Sequence, residues 1–196
     1  MIKAYNGFEA KKAGSGFESL PAGGYVAKII GAKPEEKWNR NVLTIAFDIA
    51  EGEYAGWFKK NYDANTNEDK WWSGTYSVDI PTGEEEAWKR RAFENLIACA
   101  EESNPGYHWD WNEAALKGKR IGVLFGNVER QSKAGNLYWA TVCGGTASVD
   151  DVLEGAYKLP KDRPYKGKPA VGNAIQPNVS ANDFSEISDD DGEVPF

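Results

Sequence analysis

Aromatic rings interleaved with cations are the residues of this chain best suited to chemistry, and the chemistry they suit is non-covalent. Trp38 lies between Lys37 and Arg40. Trp57 and Phe58 precede Lys59, Lys60 and Tyr62. Lys70 precedes Trp71 and Trp72, with Tyr76 close behind. Lys117, Lys119 and Arg120 open a later apolar stretch, Arg130 and Lys133 flank a Gly-containing turn, and Tyr138 and Trp139 follow it. Rings stack on bases whatever their identity, at about 1–3 kcal/mol per base. Lys and Arg pair with phosphates and release counterions. Single-stranded nucleic acid offers both kinds of contact.

Each ring taken alone has a plainer explanation, because a Trp in a β domain is more often core than platform. Phe47 and Phe125 are core by alternation, and roughly half of the other rings are expected to be structural. The adjacent pairs are more informative. Neighbouring side chains in a strand point to opposite faces, so one of Trp71 and Trp72, and one of Tyr138 and Trp139, should be exposed. An exposed Trp beside cations asks for a ligand.

A second group lies at the end of the sequence, where Asp189, Asp190, Asp191 and Glu193 lead into Val194, Pro195 and Phe196. A terminal ring in a partner's pocket is worth about 1.5–3 kcal/mol. The acids and the terminal carboxylate can pair with basic residues around such a pocket, and Pro195 limits the freedom lost on docking. An acidic terminus can also serve only solubility, but solubility gives no reason for Val-Pro-Phe.

Catalytic signals are poor. His108 is the only histidine, with no Ser or Cys partner evident, and no phosphate-binding Gly-Lys-Ser/Thr loop is present. Glu84, Glu85 and Glu86 read as charge at a helix N-terminus. The Asp189–Asp191 run lacks the preorganisation a metal site needs. The chain is therefore expected to be neither an enzyme nor a carrier of a cofactor or metal.

The 196 residues suffice for one core plus a tail. No run is long and apolar enough for a membrane span, and the start lacks an apolar signal-peptide segment. Cys99 and Cys143 show no metal-ligand spacing and suggest a reducing cytoplasm, the host's if the gene is a phage's. The net charge of −7 is unevenly spread: residues 171–196 hold six acids and no Lys or Arg, leaving 23 basic and 24 acidic groups in the body. A body that close to neutral can still carry a local basic groove.

These groups need a scaffold, and the pattern predicts one. Residues 1–20 read as an irregular arm, 21–159 as one domain, and 160–196 as a disordered tail. Strands are expected over Tyr25–Ala32 and Val42–Ala50, where Leu43, Ile45, Phe47 and Ile49 share a face. Trp57–Tyr62 reads as a third strand, with Pro34–Asn41 a polar connector. Trp71-Trp72 and Tyr76–Ile80 read as short strand pieces. A helix opens near Thr82, presents Trp88, Ala92, Leu96 and Cys99 with Phe93, Ile97 and Ala100, and stops at Asn104-Pro105-Gly106. A short helical turn falls within Asn112–Leu116. Lys119–Glu129 and Leu137–Cys143 form a hairpin, and Ser148 caps a short helix. About five strands and one main helix fit a mainly β, OB-fold-like antiparallel barrel, an architecture that binds oligonucleotides on one face.

The eight residues from Asp189 to Phe196 resemble the acidic C-terminal tip of bacterial and phage single-stranded DNA-binding proteins, where acids precede Ile-Pro-Phe. Here Gly192 and Glu193 intervene and Val194 replaces Ile. The body resembles an uncharacterised bacteriophage family encoded among replication and recombination genes. The matching stretches are Gly16–Tyr25 (GFESLPAGGY), Leu43–Ile49 (LTIAFDI), Glu51–Gly56 (EGEYAG) and Asn61-Tyr62. The resemblance implies a phage OB-fold protein that coats single-stranded DNA and recruits replication, recombination or repair enzymes through its tip. It assigns no DNA-contacting residue. A homo-oligomer is compatible with it. The rival expectation is an acidic phage adaptor or inhibitor that binds a host protein and no DNA, and a weaker one is a metal-dependent nuclease.

Overall fold

The computed structural model describes residues 19–37, 39–83, 87–132 and 134–167. Its framework is a five-stranded antiparallel sheet in the order β3-β2-β1-β4-β5, from strands β1 (Gly23–Lys37), β2 (Arg40–Ile49), β3 (Thr75–Asp79), β4 (Arg120–Gln131) and β5 (Leu137–Ala147). The first part of β1 pairs with β4, from Gly23 opposite Phe125 to Lys28 opposite Arg120. The ladder with β2 runs from Ala27 opposite Ile49 to Lys37 opposite Arg40, with a bulge between Ile29 and Gly31. A bulge bends its strand, which lets one long strand serve both halves of a curled sheet. The sheet's end strands, β3 and β5, approach each other and share contacts with one helix. The result is a mainly β, OB-fold-like barrel.

Its core holds the residues that alternation predicts. Leu43, Ile45, Phe47 and Ile49 of β2 meet Ala27 and Ile29 of β1 and Ile121, Val123 and Phe125 of β4. Leu20, the last residue of the expected arm, is also buried in this core, so the arm ends earlier than the sequence suggests. Residues 1–18 lie outside the described residues.

Five further expectations need correction. Trp57–Tyr62 is not a strand but the start of helix α1 (Trp57–Ala64). The Asp48 carboxylate accepts hydrogen bonds from the Phe58 and Lys59 amides at 3.0 and 3.3 Å, satisfying two donors that a helix start leaves open. Gly56 enters the helix in the left-handed region, at φ 70°. A helix this short is unstable alone; Phe58, buried against Phe47 and Phe125, holds it in place.

The expected connector Pro34–Asn41 is mostly ladder. β1 continues to Lys37, and Asn39, in the left-handed region at φ 59°, turns directly into β2. Pro34 is tolerated because β4 has already left that side of β1, so its missing N–H interrupts no ladder on the open edge. Trp71 and Trp72 lie outside any strand, immediately before β3.

The main helix, α2, is described over Ala87–Glu102 and buries Phe93, Leu96, Ile97, Cys99 and Ala100. Trp88 and Ala92 were expected on that face and are instead exposed. Glu84–Glu86 lie outside the described residues. A 3₁₀ turn at Glu113–Leu116 precedes β4. Helix α3 (Val149–Glu154) is capped as predicted, with Ser148 Oγ accepting from the Asp151 amide at 3.1 Å.

The last correction concerns the tail. Residues 160–167 do not leave the domain as expected but return along β4, where Arg163 forms a parallel bridge with Val128. Tyr157 precedes this stretch, and its hydroxyl oxygen accepts a hydrogen bond from the Gly24 amide at 3.1 Å. Residues 168–196 lie outside the described residues, including the predicted partner-binding positions Asp189, Asp190, Asp191, Glu193, Val194, Pro195 and Phe196. Among the described residues no helix is long and apolar enough to cross a membrane.

Candidate nucleic-acid interface

β4 and β5 continue past the end of the β1–β4 ladder as a two-stranded arm. The arm exists because β4 pairs with β1 only as far as Phe125, while its ladder with β5 runs on to Gln131 opposite Leu137. Arg130 stands opposite Tyr138, and Glu129 opposite Trp139. Successive residues alternate faces, so the two adjacent rings point to opposite sides of the arm. Tyr138 is 41% exposed and Trp139 is 52% exposed. Among the described residues Arg130 has no ion-pair partner, whereas the Glu129 carboxylate accepts the Tyr165 amide at 3.0 Å. One face thus joins a ring to a free cation, and the other sets a ring across from an acid. Lys133, in the turn of this arm, lies outside the described residues.

A second group forms between α1 and β3. The Tyr62 and Trp72 rings lie 5.8 Å apart, and Lys70 Nζ sits 4.5 Å above the Tyr62 ring. Trp72 is pinned by its indole N–H, while Trp71 beside it is 53% exposed. Lys60 is exposed on α1.

Other predicted contacts are engaged elsewhere. Tyr76 is buried in the core, which keeps its ring from any base and raises its pKa far above the ordinary phenol value. Trp57 packs edge-on against Tyr54 at 5.4 Å. Lys59 pairs with Asp63 at 2.7 Å and Arg40 with Asp79 at 3.1 Å. Arg120 pairs with Glu51, and Lys119 Nζ lies 4.5 Å over the Tyr107 ring. Trp38 lies outside the described residues.

Sequence reasoning missed two rings. Trp88 and Trp111 are 63% and 67% exposed, more than any predicted platform among the described residues. Trp88 was hidden by the helical spacing that placed it in the core. Trp111 sits in the left-handed region at φ 64° and stacks on Phe93 at 6.0 Å. Trp111 and Phe93, with Pro81, Arg90, Ile97 and Trp109, border a cleft of about 560 Å³. The buried Trp109 indole N–H has no hydrogen-bond partner among the described residues. Among the described residues no group of three or more His, Cys, Asp or Glu is placed to hold a metal ion.

No protein-family model matches the chain, and no curated protein matches it.

Proposed function

We propose that this chain binds single-stranded DNA with little sequence preference and is not an enzyme. The observation that carries the reading is the β4–β5 arm, which sets exposed Tyr138 opposite Arg130 on a segment reaching past the barrel's core ladder. A ring for a base and a cation for the neighbouring phosphate form the minimal unit of sequence-tolerant single-strand binding. The α1–β3 group, with Lys60, Lys70 and Trp71, supplies a second such unit. The setting proposed is phage DNA replication or recombination in the host cytoplasm, and residues 189–196 are proposed to recruit partner enzymes. The test is a fluorescence titration with oligo-dT. Strong tryptophan quenching that weakens with added salt supports the reading, and an unchanged spectrum in dilute buffer overturns it.

One observation favours a second reading, in which the chain is an adaptor for a protein. The cleft beside Trp111 is apolar in its walls and carries Glu94 and Glu101, which disfavour a phosphate chain. A protein that ignores oligo-dT yet retains a host protein, and loses it on Trp111→Ala, has the adaptor function instead.

A further inference from the structure

Residues 158–167 contain four cations, Lys158, Lys161, Arg163 and Lys166, against one acid, Asp162. This stretch is fixed to the arm at several points. The Arg163 amide donates to the Asn127 oxygen at 2.9 Å, and the Arg163 oxygen accepts from the Glu129 amide at 2.8 Å. The Tyr165 hydroxyl and Gln131 Oε1 lie 2.9 Å apart, with the hydroxyl donating. Asp162 is occupied by the Asn127 side-chain amide at 3.0 Å. Pro160 rests over two residues without side chains: a Cβ added to Gly126 would lie 2.9 Å from the Pro160 Cβ, and one added to Gly144 would lie 3.1 Å from it.

The returning segment therefore lies along the β4 edge of the arm. A hollow of about 340 Å³ opens there, with Val128 and Val142 among its walls and Pro160, Lys161 and Arg163 along one side. Val128 and Val142 share their strand faces with Arg130 and Tyr138 by alternation.

No carboxylate pairs with the cations of this edge among the described residues. Among the described residues, Lys33, Lys37, Arg40, Lys59, Arg90 and Arg120 each have a carboxylate partner. Lys158, Lys161, Arg163 and Lys166 take part in none of these pairs. Positive charge without a described carboxylate partner is thus gathered beside the Tyr138 face of the arm.

We propose that the segment from Lys158 to Lys166 is a phosphate rail. It holds the phosphodiester backbone of a single strand while Tyr138 stacks on a base. The proposal rests on the single-strand reading above and extends it to residues outside the aromatic groups. The backbone bridge at residue 163 places the rail, so its side chains can be changed without removing the strand.

The test is the salt dependence of oligo-dT affinity, using the full chain. Each phosphate contact with a single strand contributes about 0.7 to the slope of log affinity against log salt, so Lys161→Gln/Arg163→Gln should lower the slope by about 1.4. Its melting temperature should stay that of the unmodified chain. Charge-preserving Lys161→Arg/Arg163→Lys should keep the slope, and so should Lys89→Gln/Arg91→Gln on α2. If the unmodified chain binds and the Lys161/Arg163 pair keeps its slope, the rail is overturned and the single-strand reading stands. Equal slope losses from the arm and α2 pairs also overturn the rail, because the effect is then diffuse charge. If the unmodified chain does not bind, both proposals fall.

Discussion

Trp72 donates its indole N–H to the backbone oxygen of Phe47 at 3.0 Å, joining the stretch before β3 to the last part of β2. The same N–H lies 3.2 Å from the Gly74 oxygen, and the Phe47 amide in turn donates to Gly74 at 2.8 Å. Trp72 is therefore part of the sheet's closure, while Trp71 projects into solvent. Trp72→Phe keeps a ring and removes the donor. It should cost about 1–3 kcal/mol of stability by denaturant unfolding, since the Phe47 oxygen loses this donor. Trp71→Ala should stay within about 0.5 kcal/mol of the unmodified chain and lower oligo-dT affinity instead.

The same contrast shows what was legible in the residue pattern. Strict alternation in β2, the late hairpin and the Ser148 cap could all be read directly, because each is a local signal. Helix α1 could not, because its N-terminus is capped by Asp48, a residue in a different element. Nor could the returning strand: Lys158–Lys168 has the composition of a linker, and only the exposed β4 edge gives its backbone a partner. Of the candidate contacts, the opposite facing of Tyr138 and Trp139 followed from strand geometry, although both rings are exposed rather than one being core. The loss of Tyr76 to the core and of Arg40, Lys59 and Arg120 to ion pairs depends on neighbours that are distant or on another face, which no spacing rule supplies.

The two faces of the arm should differ in their contribution to binding. Tyr138 stands opposite Arg130, which has no ion-pair partner among the described residues, and Trp139 opposite Glu129. Tyr138→Ala should weaken oligo-dT binding by about 1–3 kcal/mol, and Tyr138→Phe should restore it, since the stacking surface is kept. Trp139→Ala should cost less, because the nearby carboxylate repels a phosphate chain. Anisotropy of a labelled oligonucleotide measures both without depending on tryptophan emission. Both side chains are exposed, so neither change should move the melting temperature appreciably.

The thiols should be inert in the folded protein. Burial pushes the Cys99 thiol up to about 11 and the Cys143 thiol up to about 12. The thiolate is the reactive form, and at neutral pH almost none of it exists at either position. Both are free cysteines, so a thiol-reactive dye should label neither quickly in native buffer and both in denaturant. Rapid native labelling of Cys143 would show that β5 opens locally near its bulge.

Glu35 should govern stability in acid. It lies between Lys37 Nζ at 2.8 Å and Lys33 Nζ at 2.9 Å, where β1 approaches the turn into β2. Partial burial pushes its pKa upward, but hydrogen bonds from Lys37, Thr44 and Lys33 outweigh that effect, and the carboxyl is lowered from 4.5 to about 2. A folded pKa below the unfolded one means that folding favours the charged form. Its stabilisation is therefore complete above the unfolded value of 4.5 and is lost as pH falls toward about 2. Urea unfolding across that window should show a declining midpoint in the unmodified chain. Glu35→Gln should be less stable at neutral pH, where it lacks the charge that both lysines face, and should show a shallower decline. An identical pH profile for the two proteins would mean that the lysines stabilise the turn without this carboxylate.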